Sequence, residues 1–331
     1  MTVASGIGSL PGRDSADYTE AVRTVFDETP DLPYLPELPG RGVAADMIGR
    51  ALAVMSGLAA DLQPAGWRLT DSPGVDLRRA RSLLAQDLDA VEEQAQGFAG
   101  RFKIQVAGPW TMAASVERPR GDRVLADHGA RRELAQALAE GLREHVADVR
   151  RRLPSSTIVV QVDEPALPAV MGARIPTASG FSRHRSVDAP EAAPALEWVF
   201  DAITSAGATP VAHCCAADVP ISLLTRAGAH GVSVDLSVLQ LSAYDDLAGV
   251  IEEKKALFLG VVPTAEPAAA PPTEGGLTER VLRLLDMLGF DPGAVGERLV
   301  ITPSCGLAAA SPVWAVRALA LSQQVARNLT P

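Results

Sequence analysis

The sequence has few cysteines and no excess of positive charge, and each shortage excludes a class of protein. Three cysteines in 331 residues do not make a disulfide framework, so we expect a reduced, cytoplasmic protein. There are 30 basic residues against 40 acidic ones, and the net charge of −10 argues against a nucleic-acid partner. The longest uncharged run, residues 299–316, contains two prolines and is a poor membrane span. Residues 1–10 lack the positive and apolar regions of a signal peptide, so we expect no membrane partner.

Short apolar runs alternate with helical segments along the chain, and this order predicts an α/β fold. Hydrophobic residues make up 47% of the sequence, which is enough for a large core. Eight strands alternating with helices predict a (β/α)8 TIM barrel as one domain over residues 1–331, with a doubly wound open sheet as the alternative. The predicted strands are Val3–Ser9, Pro33–Glu37, Phe102–Ala107, Thr157–Asp163, Thr209–His213, Gly231–Asp235, Leu257–Val261 and Leu299–Thr302.

One connection between predicted strands is too long for a single helix. It covers residues 47–101, so we expect an insertion after the second strand, with a small hairpin around Trp67–Pro73. Six reactive residues fall at or just past predicted strand ends, where a TIM barrel carries its chemistry. They are Ser9, Glu37, Asp163, His213, Asp235 and Cys305.

A His-x-Cys pair at one of these strand ends suggests a metal site. In an extended segment, residues two apart point to the same side, so His213 and Cys215 are placed to share one ion. Cys305 follows the last strand, and an imidazole with two thiolates favours zinc. Asp235 is the candidate for a fourth ligand. The alternative interpretation is that the cysteines are small buried hydrophobes, as we expect for Cys214, which points the other way.

Two further strand ends carry groups suited to an amino acid. Asp163 is followed by Glu164 and Pro165, and this pattern fits either an ammonium-binding carboxylate or the start of a helix. The loop at residues 7–12 offers backbone amides near Ser9 that suit a carboxylate, although Gly-Ser-Leu-Pro is also ordinary turn chemistry.

Taken together and in this order, these motifs resemble the C-terminal catalytic domain of cobalamin-independent methionine synthase, in its short form with a single barrel. The matching pieces are Ile7-Gly8-Ser9-Leu10-Pro11, Gly108-Pro109, Gln161-Val162-Asp163-Glu164-Pro165-Ala166-Leu167, His213-Cys214-Cys215, Val232-Ser233-Val234-Asp235 and Pro303-Ser304-Cys305-Gly306-Leu307. The resemblance covers nearly the whole chain. It implies a zinc-dependent transfer of a methyl group to the thiol of L-homocysteine, which gives methionine.

The resemblance also implies roles for individual residues. The implied zinc ligands are His213, Cys215, Asp235 and Cys305. The implied substrate-binding residues are Ile7, Gly8, Ser9, Glu37 and Asp163. In this scheme the loop of residues 7–9 holds the carboxylate of homocysteine, and Asp163 and Glu37 bind its amino group. Asp235 stands where the family has a glutamate ligand that is one methylene longer.

The departures from the family pattern concentrate on the methyl donor. Ser115 stands near the position of a folate-stacking tryptophan, and Ala169 stands where the family has a glutamate. The loop Val261–Pro272 has no histidine to act as proton donor, and Glu266 is its only titratable side chain. The catalytic proton donor is therefore unassigned, with Glu266 as the candidate, and the donor is either methylfolate or a methylcorrinoid.

Three other functions remain open at the level of sequence. A related zinc barrel methylates a different thiol, such as coenzyme M, although a sulfonate acceptor would favour basic residues where this chain has Asp163. A uroporphyrinogen-decarboxylase-like barrel shares the fold and does not need the cysteines. The third alternative is a zinc-binding barrel without catalysis.

Overall fold

The computed structural model describes residues 1–268 and 270–330, and seven strands of this part of the chain form one parallel sheet. The seven strands are β1 Val3–Ala4, β4 Arg101–Ala107, β5 Thr157–Asp163, β6 Thr209–Cys214, β7 Gly231–Asp235, β8 Ala256–Val262 and β9 Leu299–Pro303. Two further strands, β2 Ala59–Gln63 and β3 Gly66–Thr70, form a separate antiparallel hairpin. Their order in the sheet is β1-β9-β8-β7-β6-β5-β4, and every pairing is parallel. The predicted α/β fold with a parallel sheet is confirmed.

Helices alternate with these strands. They are α1 Ser15–Glu28, α2 Met47–Val54, α3 Val75–Gln94, α4 Pro109–Ser115, α5 His128–Arg152, α6 Leu167–Met171, α7 Ala189–Ser205, α8 Ile221–Arg226, α9 Tyr244–Glu252, α10 Glu274–Leu288, α11 Pro292–Val295 and α12 Pro312–Asn328. In the described part of the chain, none of them is both long and apolar enough to cross a membrane. Ala269, in the loop expected to face the methyl donor, lies outside the described residues.

The predicted second strand, Pro33–Glu37, is not a continuous strand. Parallel bridges join Tyr34 to Lys103 and Glu37 to Ser9, so this segment hydrogen-bonds to β4 on one side and to the loop after β1 on the other. Pro33 and Pro36 within it lack amide donors, and a regular ladder is interrupted wherever a donor is missing. The segment therefore lies between the two edges of the sheet, which is curled as in a TIM-like barrel.

Residues 47–94, between this segment and β4, contain α2, the β2–β3 hairpin and α3. The two-residue turn Pro64-Ala65 joins the hairpin strands, so the hairpin begins earlier than the range predicted around Trp67–Pro73. Helix α1 was not predicted, although Asp14 supplies a recognisable start: its side chain accepts a hydrogen bond from the amide of Asp17.

Alternation along the strands separates the inner face of the sheet from the face covered by helices. On β5, Val159, Gln161 and Asp163 share one face because they are two residues apart. Val159 belongs to a small buried cluster with Val3, Leu32, Val211, Phe258 and Val300. The same face therefore changes from apolar to polar towards the carboxyl ends of the strands.

Candidate metal centre and amino-acid site

Three predicted ligands meet at the carboxyl ends of β6 and β9. The Sγ atoms of Cys215 and Cys305 are 3.0 Å apart, and Cys305 Sγ lies 4.0 Å from His213 Nε2. All three ligand atoms lie within 4.8 Å of one another, and no other group of this kind occurs among the described residues. Ligands of a tetrahedral zinc ion, about 2.0–2.3 Å from the metal, are separated by roughly 3.5 Å, so this donor set and spacing fit zinc.

A hydrogen bond to the ring nitrogen Nδ1, on the side away from the cysteines, fixes the orientation of the His213 ring. His213 is 3% exposed, and its Nδ1 lies 2.9 Å from the Oγ of Ser233 on the neighbouring strand β7. The hydrogen bond occupies one ring nitrogen and leaves Nε2 facing the cysteines. Hydrogen bonds of this kind commonly orient metal-binding histidines. Ser233 was part of a matching motif in the sequence, but its role was not predicted.

The three cysteines differ in their surroundings. The hydrogen bond between the Sγ atoms of Cys215 and Cys305 lowers the pKa of Cys215 and raises that of Cys305. Cys214 is completely buried in the core, and burial raises its pKa to about 12. Cys214 is therefore an inert core residue, in agreement with the expectation that it points away from the other two.

Asp235 lies at the end of β7 but outside the three-residue group. Its Oδ1 accepts hydrogen bonds from the amide and the hydroxyl of Ser237, at 2.8 and 2.6 Å. Its negative charge opposes, as the smallest contribution, the lowering of the Cys215 pKa. Asp235 as a fourth ligand stays a prediction.

The two adjacent carboxylates Asp163 and Glu164 have different partners. Both Glu164 oxygens are bound at the start of α4, where they accept from the amides of Trp110 and Thr111 and from the Thr111 hydroxyl. Asp163 Oδ1 accepts from Gln161 Nε2 at 2.7 Å, and burial raises the pKa of Asp163 to about 6. Glu164 therefore stabilises the start of α4, whereas α6, the helix that follows Pro165, has no side-chain cap from any described residue. The ammonium-binding role of Asp163 stays a prediction.

The first loop packs directly against the loop that carries Cys305. The amide of Leu307 donates to the carbonyl oxygen of Ser9 at 2.8 Å. A Cβ atom at Gly306 would lie 2.1 Å from Ser9 Oγ, so any larger residue here would force the Ser9 hydroxyl to move. The amides of Gly8 and Ser9 donate no hydrogen bond to any residue in the described ranges. The loop therefore offers two backbone donors close to the cysteines.

Glu37 belongs to a buried chain of ion pairs. Its Oε1 accepts from Arg50 Nε at 3.2 Å and from Gln105 Nε2 at 3.0 Å. Arg50 also pairs with Asp87 on α3, and Asp87 binds Arg41 through both carboxylate oxygens. Breaking one partner of such a buried network is costly, because it leaves a charge without compensation. The position of Glu37 is therefore fixed by ion pairs, in part through Arg50 of α2 and Asp87 of α3.

Lys103 and Gln161 are two interior polar residues that the sequence analysis did not single out for function. Lys103 Nζ donates to Gln161 Oε1 and to the Ile7 carbonyl oxygen, each at 2.9 Å. Burial lowers the pKa of Lys103 to about 7, while the carboxylates of Asp163 and Glu37 oppose that shift. A signal was available, because Lys103 and Gln105 alternate with apolar residues in β4, as Gln161 and Asp163 do in β5.

The residues expected to face the methyl donor are less buried than those of the amino-acid site. Ser115 ends α4, Ala169 lies in α6, and both are partly buried. Glu266 is exposed in the loop after β8. A cleft of about 800 Å³ lies between α1 and α12, and none of the predicted site residues lines it.

Comparisons with known proteins point to one family. A family model for the catalytic domain of cobalamin-independent synthase matches residues 88–328. A B12-independent methionine synthase from Shewanella sp. W3-18-1, solved in complex with selenomethionine, is 12% identical, with 99% of this chain and 98% of that chain covered and a TM-score of 0.65. A β-mannanase from the blue mussel Mytilus edulis is 10% identical over 98% of this chain and 92% of that one, with a TM-score of 0.49. No curated protein matches. At 12% identity, the likeness to the Shewanella protein shows a common fold alone.

Proposed function

The chain belongs to the family of cobalamin-independent synthase catalytic domains, and from that premise we propose that it transfers a methyl group to the thiol of L-homocysteine, forming methionine. The observation that carries the proposal is the meeting of His213, Cys215 and Cys305 within 4.8 Å at the strand ends. A thiol is mostly protonated at neutral pH and is then a poor nucleophile. A site built to activate sulfur therefore needs a way to remove that proton.

We assign zinc to this site. His213, Cys215 and Cys305 would hold the ion, and Asp235 is the fourth ligand or the one that yields to substrate. When bound, zinc supplies the charge that favours the deprotonated thiol of the substrate. Ser233 keeps the imidazole nitrogen Nε2 directed at the ion. The family is matched over residues 88–328, which include all of these residues.

The amino-acid part of homocysteine is assigned to the neighbouring strand ends. Asp163 is buried and has only one oxygen bonded to Gln161 among the described residues, so its other oxygen is available for an ammonium group. Glu37 supplies a second carboxylate. The free amides of Gly8 and Ser9 suit the carboxylate of the substrate, and Ile7 belongs to the same loop.

For the methyl donor we propose a methylcorrinoid, bound to a protein or free, in place of methylfolate. A methylcorrinoid is a good methyl donor and needs no acid at a folate nitrogen. This agrees with Ala169 and Ser115 at positions where the family has folate-related residues, and with an exposed Glu266 as the candidate acid. We further propose that the whole chain is one catalytic barrel, with residues 47–101 inserted after the second strand position. The predicted cytoplasmic location stays a prediction.

The test is methyl transfer to L-homocysteine by the zinc-loaded protein, with methyltetrahydrofolate and methylcobalamin assayed in parallel. We expect methionine from methylcobalamin and little from methylfolate. Robust turnover of methylfolate would contradict the altered donor while supporting the transferase. No methionine from either donor would contradict the proposed acceptor, and methylation of coenzyme M in its place would identify the related thiol methyltransferase.

Metal analysis separates the remaining alternatives. A purified protein that retains no zinc would favour a decarboxylase-like barrel, which has no need of the cysteines. A protein that retains zinc, but whose zinc coordination ignores added homocysteine, would favour a barrel in which zinc is structural.

A further inference from the structure

Lys103 and Gln161 connect the two parts of the proposed amino-acid site. The carbonyl oxygen of Ile7 accepts from Lys103 Nζ at 2.9 Å and from Gln161 Nε2 at 2.8 Å. The same Gln161 amide donates to Asp163 Oδ1 at 2.7 Å. One lysine–glutamine pair therefore touches both the carboxylate-binding loop and the carboxylate assigned to the ammonium group.

The partners of Gln161 determine which way its side chain faces. A carbonyl oxygen only accepts hydrogen bonds, so the NH2 group of Gln161 faces Ile7 and Asp163 while its Oε1 faces Lys103. Without Lys103, that Oε1 would become a buried acceptor without a partner. Leaving such a group unpaired costs free energy and removes the reason for the side chain to keep this orientation.

The same contacts determine how the first loop presents its amides. In a trans peptide the carbonyl and the following N–H point in opposite directions. Because Lys103 and Gln161 hold the Ile7 carbonyl, they also fix the plane of the Ile7–Gly8 peptide and with it the direction of the Gly8 N–H. The amides of Gly8 and Ser9 have no hydrogen-bond acceptor among the described residues.

We propose that Lys103 is a positioning residue for both ends of the substrate amino acid. It fixes the Ile7–Gly8 peptide directly, for the substrate carboxylate, and fixes Asp163 through Gln161, for the substrate ammonium group. The hydrogen bonds of Lys103 Nζ go to Ile7 and Gln161 and to none of the predicted metal ligands. This inference rests on the proposed function, because it requires an amino acid in the site.

Calorimetric binding to the zinc-loaded protein tests the proposal with three related compounds. They are L-methionine, 4-(methylsulfanyl)butanoate, which lacks the amino group, and 3-(methylsulfanyl)propan-1-amine, which lacks the carboxylate. We expect the wild-type protein to prefer L-methionine over both. In Asp163→Asn, the preference for L-methionine over the compound without the amino group should fall at least about tenfold, the size expected for one hydrogen bond to a charged group. Its preference over the compound without the carboxylate should not change. In Lys103→Met, the preferences for L-methionine over each of the two analogues should both fall at least about tenfold, and the protein should keep its zinc.

The control is Lys255→Met, which removes another lysine that donates to a backbone carbonyl, that of Thr225. It should keep both preferences. If Lys103→Met does not fold, Gln161→Leu keeps the lysine, removes the connection, and must show the same double loss. A folded Lys103→Met with wild-type ratios, or with one ratio changed, overturns the proposal. Methionine binding without methyl transfer from any donor would instead contradict the proposed function, and the two preference ratios would still decide the role of Lys103.

Discussion

The two halves of the site are built on different parts of the fold. The half assigned to the thiol amino acid uses strand ends and the first loop, and its side chains are buried and hydrogen-bonded: His213 to Ser233, Asp163 to Gln161. The half expected to face the methyl donor uses helix α6 and the loop after β8, where Glu266 is exposed. Strand register fixes positions to within a fraction of an ångström, whereas a loop tolerates changes in composition. Under the proposed function, the acceptor half is therefore built on the more regular part of the fold, and the proposed change of donor falls on helix α6 and the loop after β8.

The largest effect should come from the metal ligands. Cys305→Ser and Cys215→Ser should lower zinc affinity by more than about 100-fold, since even residues that only orient metal ligands are worth 10–100-fold. Methionine formation should disappear with the zinc, while the far-UV circular dichroism stays unchanged because the core is built without the ion. Zinc content after dialysis, measured by atomic emission, is the readout.

Cys214→Ala is the matched control for the cysteine variants, because Cys214 is a neighbouring cysteine buried in the core. It should keep zinc and activity. Full zinc retention by Cys305→Ser would show that the group of three is not a metal site, and the contrast between the two halves would lose its basis.

The next largest effect should come from Asp163. Asp163→Asn should raise the KM for homocysteine by about 10–100-fold, the range for a buried hydrogen bond to a charged group, and leave zinc in place. Steady-state kinetics with zinc analysis on the same sample measures both. Glu164→Gln is the control: it alters the start of α4, so it should lower the melting temperature and leave the KM within about threefold. An unchanged KM in Asp163→Asn would remove the ammonium-binding role.

A smaller effect is expected from the residue that orients the histidine. Ser233→Ala should weaken zinc binding by about tenfold, because the ring loses the partner of Nδ1. Competition with a chelator of known affinity measures it. The control Ser322→Ala removes another buried serine hydroxyl, bonded within α12, and should leave zinc affinity unchanged. Equal zinc affinity in Ser233→Ala and wild type would show that the hydrogen bond with Ser233 does not orient His213 for zinc binding.

The smallest effect is expected on the donor side. Glu266→Gln should change kcat for methylcobalamin by less than about threefold, because an exposed side chain in a loop contributes little to a preorganised site. A tenfold loss of kcat would show that the loop carries a catalytic acid. Both halves of the site would then contribute side chains to catalysis.

Local patterns predicted most of the acceptor half. The spacing of His213 and Cys215 on one strand, and the place of Cys305 at another strand end, are visible in the sequence because strand geometry is periodic. The alternating polar residues Lys103 and Gln161 were visible too, but a lysine in an apolar strand carries no indication of its partners. Lys103 on β4 binds Gln161 on β5, and both side chains reach the carbonyl oxygen of Ile7 in the loop after β1.

Long-range contacts account for the features that sequence patterns did not supply. Glu37 is held by Arg50, which in turn binds Asp87, 37 residues further along the chain. No periodicity links such residues. The segment Pro33–Glu37 lies where the second strand is predicted, yet its prolines interrupt the hydrogen-bond ladder. Strand propensity alone does not predict how many hydrogen bonds to the neighbouring strands remain.

Zinc X-ray absorption, recorded with and without L-homocysteine, tests the central claim most directly. We expect zinc bound by two sulfurs and one imidazole nitrogen in the resting protein, and a third zinc–sulfur bond when homocysteine is added. A zinc site with fewer than two sulfurs, or a spectrum that does not change with saturating homocysteine, would contradict it.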